Sequence, residues 1–126
     1  MLCVEDNPAN LELVRSMLGF RPNLRLLTAS DGRKGVDMAR AERPDVILMD
    51  NNMPGLNGRE ALAILRDDPT TSHIPVIALT ANAMPSAIDA GLAAGFFRYL
   101  TKPIDVAALN DAVDSALASA RKRPPA

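Results

Sequence analysis

One cysteine, one histidine and no tryptophan close off several kinds of chemistry before any pattern is read. Cys3 has no second thiol for an intrachain disulfide, and Cys3 with His73 falls short of the ligand set of a zinc site. No apolar run approaches the ~20 residues that cross a bilayer. The acidic pair Glu5-Asp6 interrupts the first apolar stretch too soon for a secretory signal. Neither charge sign is in surplus: 14 basic residues face 15 acidic ones, for a net charge of −1, which argues against nucleic acid as the main partner. Aromatic residues make up only 3 %, so the core must come from Leu, Ile, Val, Ala and Met. What remains, in a chain of 126 residues, is one soluble domain, expected in the cytoplasm, with enough apolar material for a sizeable core.

The apolar residues fall into five short runs: Leu2–Val4, Leu24–Thr28, Val46–Met49, Ile74–Leu79 and Phe97–Leu100. Helical patterns separate them. Asn7 can cap a first helix that has Pro8 in its first turn, with Leu11, Val14 and Leu18 on one face and Gly19 at its end. Ser30-Asp31-Gly32 turns into a second helix, with a short face of Val36 and Ala39 beside Met38, stopped by Pro44. A third follows Gly58, carries Ala61, Leu62, Ile64 and Leu65, and breaks at Asp67-Asp68-Pro69. Pro85 to Ala94 forms a shorter fourth helix closed by Gly95. The fifth runs from Ile104 to Ala120, with Asp105 near its start and Arg121-Lys122-Arg123 at its end, both favourable to its dipole. Continuous apolar strands alternating with helices predict a parallel sheet covered on both faces, a three-layer α/β fold. The domain is expected to span residues 1–121, with 122–126 as a tail.

In such a sheet, ligands bind outside the carboxyl ends of the strands. Asp50 closes one apolar run and is followed by the turn-forming Asn51-Asn52-Met53-Pro54-Gly55. Alone, an Asp in that place does no more than cap a loop. Glu5-Asp6 follows the first strand, however, Thr80 ends the fourth and Lys102-Pro103 follows the fifth, so one sheet edge collects three carboxylates, a hydroxyl and an ammonium. Clustered carboxylates repel unless something positive sits among them, and a hard divalent cation such as Mg²⁺ takes one or two carboxylates, waters and phosphate oxygens. Lys102 and Thr80 supply the charge and the donor that a phosphoryl group in transit requires, and an Asp carboxylate can accept that group as an acyl phosphate.

These residues resemble a known family, the receiver domains of bacterial two-component response regulators. The matching pieces are Val4-Glu5-Asp6-Asn7, Leu48 to Gly58 around Asp50, Ala78-Leu79-Thr80-Ala81 and Tyr99-Leu100-Thr101-Lys102-Pro103, whose order and spacing cover nearly the whole chain. Ala78 to Met84 and Ala94-Gly95-Phe96 most resemble receivers of hybrid sensor kinases. The resemblance implies a flavodoxin-like, doubly wound sheet of five strands in the order 2-1-3-4-5 with five helices. It implies phosphorylation of Asp50 by a histidine kinase or a histidine phosphotransfer protein. It further implies Mg²⁺ (or Mn²⁺) held by Asp6, Asp50 and the backbone carbonyl of Asn52, with Glu5 assisting through water. Lys102 would contact the phosphoryl group, beside a cis peptide to Pro103. Thr80 would move toward that group and Tyr99 turn inward, a population shift toward a state read by a protein partner. Asn52 and Asn82 occupy the positions that tune the acyl-phosphate lifetime, and neither is a strong acid or base.

The acidic pair comes early, and no effector domain follows within the sequence, so the expectation is a phospho-accepting signalling switch rather than a DNA-binding regulator. It would catalyse its own phosphorylation and dephosphorylation and turn over no separate substrate. Its partner surface is expected on the face of the fourth helix, fifth strand and fifth helix, where a homodimer could also form on activation. Two rivals use the same pattern. One is a receiver-like interaction module that no longer uses phosphate; the other is a flavin or nucleotide binder on the same fold, which the missing Gly-rich loop after the first strand disfavours.

Overall fold

Side chains alternate along each short strand, and this alternation divides the apolar residues between the two faces of one sheet. The structure is a computed structural model and describes residues 1–18, 25–50, 58–81, 84–101 and 104–121. Its strands are β1 (Leu2–Val4), β2 (Leu27–Ala29), β3 (Ile47–Asp50), β4 (Val76–Thr80) and β5 (Arg98–Thr101), all parallel and in the order β2-β1-β3-β4-β5. The helices are α1 (Pro8–Leu18), α2 (Gly32–Glu42), α3 (Gly58–Asp67), α4 (Pro85–Ala94) and α5 (Val106–Arg121). This is the expected flavodoxin-like order.

Leu2, Val4, Ile47, Met49, Val76 and Ala78 project to one face, where Val36 and Ala39 of α2 and Ala61, Leu62 and Leu65 of α3 cover them. Cys3, Leu48, Ile77 and Leu79 project to the other, under Val14 and Leu18 of α1 and Leu109, Ala112, Val113 and Ala116 of α5. Because β1, β3 and β4 are buried on both faces, their runs read as uninterrupted apolar sequence. Among the described residues no helix is long and apolar enough to cross a membrane.

Four strands sit later in the chain than their apolar runs suggest. β2 begins at Leu27, not Leu24, which lies outside the described residues; β3 is displaced by one residue to end on Asp50, β4 runs to Thr80 and β5 to Thr101. The reason is that apolarity reports burial, whereas a strand is defined by its ladder. Ile74 is buried yet precedes the ladder, beside Pro75, which has no N–H to donate. At the other end Asp50, Thr80 and Thr101 keep strand pairing although they are polar. Asp50 and Thr80 are thus paired strand residues, held in register at the strand ends expected for them. α5 likewise starts at Val106, since Asp105 caps it by accepting from Ala108 N at 3.0 Å.

The packing of α2 on β1 depends on Gly35. A Cβ there would lie 2.6 Å from Cγ2 of Val4, deep in the core. Gly35→Ala is therefore expected to destabilise the domain by roughly 1 kcal/mol, because overpacking of about 1–3 kcal/mol outweighs the ~1 kcal/mol gained in helix propensity. Urea denaturation checks this, and an unchanged or higher midpoint would mean that α2 lifts off β1 freely.

Candidate functional site

Parallel strands end on the same side, so the polar residues that close β1, β3, β4 and β5 converge on one edge of the sheet. Glu5 leaves β1 still held by the sheet, its N–H donating to Ala29 O at 3.0 Å. Its Oε1 accepts from the Asn7 N–H at 3.1 Å, while Asn7 caps α1 by accepting from Ala9 N at 2.9 Å. Asp6 is thus fixed between two anchored neighbours. Asp50 ends β3 opposite Leu79 of β4. One carboxylate oxygen from each of Glu5, Asp6 and Asp50 lies within 4.8 Å of the other two, with Glu5 and Asp50 buried and Asp6 exposed. The cluster is rooted in the fold and open to solvent through Asp6.

Its charge is felt inside the sheet. Burial pushes the thiol of Cys3 up to about 12, and the nearby negative charges of Glu5 and Asp50 add to the shift. Cys3 is a buried, inert part of the core beneath α1 and α5.

Thr80 is buried at the end of β4 and pairs in register with Thr101, just as Ala78 pairs with Tyr99. Residues two apart on a strand share a face, so Thr80 and Tyr99 are diagonal neighbours on the α2–α3 side of the sheet. The Tyr99 ring is half-buried against that core and meets Phe96 edge to face, with centroids 6.2 Å apart and planes at 90°. Lys102 and Pro103, Asn52 and Asn82 lie outside the described residues, as does the tail 122–126. Thr101, the residue before Lys102, ends β5 at the same sheet edge.

On the face expected to meet a partner, Leu92 of α4 and Val106 of α5 are exposed. Arg98 of β5 spans to α5, donating to Asp111 Oδ2 at 2.8 Å and to Ser115 Oγ at 3.2 Å. One residue near Tyr99 escaped notice in the sequence. It is Gly91 of α4, whose only signal is a glycine inside a helical pattern, a placement that costs about 1 kcal/mol relative to alanine.

The sequence matches the response regulator receiver domain family over residues 1–114. It is 40 % identical to protein PilH of Pseudomonas aeruginosa over 118 residues, which cover 94 % of this chain and 97 % of that protein. Sensor histidine kinase GacS of Pseudomonas protegens is 37 % identical over 107 residues, 82 % of this chain but 12 % of the kinase. Among solved structures, the receiver domain of sensor histidine kinase PA1611 from P. aeruginosa, with a magnesium ion coordinated in its active-site cleft, superposes with a TM-score of 0.83 at 36 % identity. That match covers 93 % of this chain and 95 % of the other.

Proposed function

The chain belongs to the response regulator receiver domain family of two-component signalling, and from that premise we propose that Asp50 is its phosphoryl acceptor. The observation that carries the reading is the convergence of Glu5, Asp6 and Asp50 at the carboxyl edge of the sheet, with Thr80 on the next strand. Three oxygen donors, two of them buried carboxylates, suit a hard divalent cation and not a soft one. Asp6 and Asp50 would hold Mg²⁺ or Mn²⁺ directly, with the Asn52 carbonyl, and Glu5 through water. Bound there, the cation would neutralise the cluster and the phosphoryl oxygens.

In the proposed reaction a carboxylate oxygen of Asp50 attacks phosphorus while the bond from phosphorus to a phosphohistidine nitrogen breaks. The imidazole leaves with the bonding electron pair, and an acyl phosphate remains on Asp50. Thr80 donates its hydroxyl hydrogen to a phosphoryl oxygen, and Lys102 supplies a cation on another. In the separate hydrolysis step water attacks the same phosphorus, the bond from phosphorus to the Asp50 oxygen breaks, and the carboxylate and inorganic phosphate are released. Asn52 and Asn82, at the positions the family uses for lifetime tuning, would offer that water neither a strong base nor a strong acid. Thr80 and Tyr99 then carry the change to the α4–β5–α5 face, where a protein partner reads it.

Incubation with acetyl phosphate and Mg²⁺, followed by mapping of the modified residue by mass spectrometry, tests this. The modification is expected on Asp50 and is expected to vanish with EDTA. Modification elsewhere would remove Asp50 as the acceptor, and none with Mg²⁺ present would leave a phosphate-independent interaction module as the reading.

A further inference from the structure

Helix α4 ends in a set of backbone bonds that hold Gly91 in place. Gly95 adopts a left-handed conformation (φ 115°), its N–H donating to Leu92 O at 3.1 Å, and the Phe96 N–H donates to Gly91 O at 3.3 Å. This paired pattern is a Schellman cap, with Gly91 supplying the carbonyl of its longer bond. The cap is in turn tied to α3. Arg66 Nη2 donates to Gly95 O at 3.1 Å, while Nη1 donates to Ser72 O and Ile74 O at 2.8 and 2.9 Å. The last turn of α4 is therefore fastened both to the loop that follows it and to the element beside it.

Against this fixed turn lies the ring of Tyr99. A Cβ built on Gly91 would collide with the ring's Cε2 and lie 2.7 Å from Cδ2. Phe96, the next residue of the cap, meets the same ring edge to face. Helix propensity alone favours almost any residue over glycine in α4. Position 91 gives up that advantage where the ring passes over it.

We propose that Gly91 is a positioning residue for Tyr99: its missing side chain is the seat on which the ring rests, and the size of residue 91 sets the balance between the ring's positions. Since the cap and Arg66 hold the backbone of this turn, the ring must yield if a methyl is added. The proposal goes beyond the reading of Tyr99 as a switch but rests on it for its functional consequence.

Tyr99 is the only tyrosine and the chain has no tryptophan, so tyrosine emission reports this one ring. Gly91→Ala is expected to change the quenching of that emission by iodide. It should also shift the beryllofluoride concentration that gives half of the maximal thermal stabilisation, with Mg²⁺ present, by about fivefold or more. Two further variants separate ring displacement from a damaged helix. In a Tyr99→Ala background, Gly91→Ala should leave the beryllofluoride response unchanged and raise the melting temperature, because the methyl then has room and the helix gains alanine. Unaltered quenching in Gly91→Ala would overturn the seat. So would a beryllofluoride shift of the same size with and without the Tyr99 ring. A parent protein that ignores beryllofluoride would instead refute the phosphoryl reading, and the quenching result would decide the seat by itself.

Discussion

Asp50→Asn should abolish phosphoryl labelling and yet, in metal-free buffer, unfold at a higher temperature than the parent. The first effect follows because an amide is a poor nucleophile toward phosphorus. The second follows from the cluster, since the substitution removes one of three carboxylates whose oxygens lie within 4.8 Å of one another. At an effective dielectric of about 20, two such charges oppose each other by about 3–4 kcal/mol. Solvent at the exposed Asp6 and the polar groups around Glu5 and Asp50 reduce the net gain to about 1–2 kcal/mol, a few degrees in a domain of this size. Magnesium should reverse the ranking. At a hundredfold excess over its dissociation constant a cation that binds only the folded chain adds about 2.7 kcal/mol, and the variant should lose most of that. Thermal melts with EDTA and with Mg²⁺ read both effects. A variant that melts below the parent without metal and gains as much from Mg²⁺ would remove Asp50 from the metal site.

That cluster was legible in the sequence because a parallel sheet converts a one-dimensional rule into a three-dimensional one. Each polar residue that ends an apolar run arrives at the same edge, so Glu5, Asp6, Asp50 and Thr80 could be brought together from their positions alone. The faces of α1 and α3 were equally readable, as in Val14 and Leu18 or Leu62 and Leu65. Strand limits were not. Apolar runs mark what is buried, and Ile74 is buried without pairing while Asp50 pairs without being apolar. Gly91 was illegible for a different reason. Its meaning lies in an aromatic ring on β5, eight residues on, and no periodicity within α4 reveals a neighbour on another element. Arg66 is a similar case: it reads as a surface cation near a helix end, whereas its guanidinium holds three backbone carbonyls from two loops.

Thr80 offers the second large effect, and a pair of conservative substitutions isolates its hydroxyl. Thr80→Val keeps the β-branched shape that suits the ladder with Leu79 before it and Thr101 across from it, and removes only the oxygen. If that oxygen donates to the phosphoryl group, labelling by acetyl phosphate should slow by about 100-fold, the lower end for losing one preorganised donor. Thr80→Ser restores the donor and should return the rate to within a few-fold of the parent, despite the missing methyl. The same pair tests the route outward. Thr80 and Tyr99 share one face of neighbouring strands, so movement of Thr80 toward the phosphoryl group changes the space beside the ring. Beryllofluoride should therefore still stabilise Thr80→Val against heat while the Tyr99 emission no longer responds to it. Occupancy without a ring response would locate the coupling in this hydroxyl. A ring response as large as in the parent would mean that Tyr99 follows the site by another path, through α4 and the turn that carries Gly91.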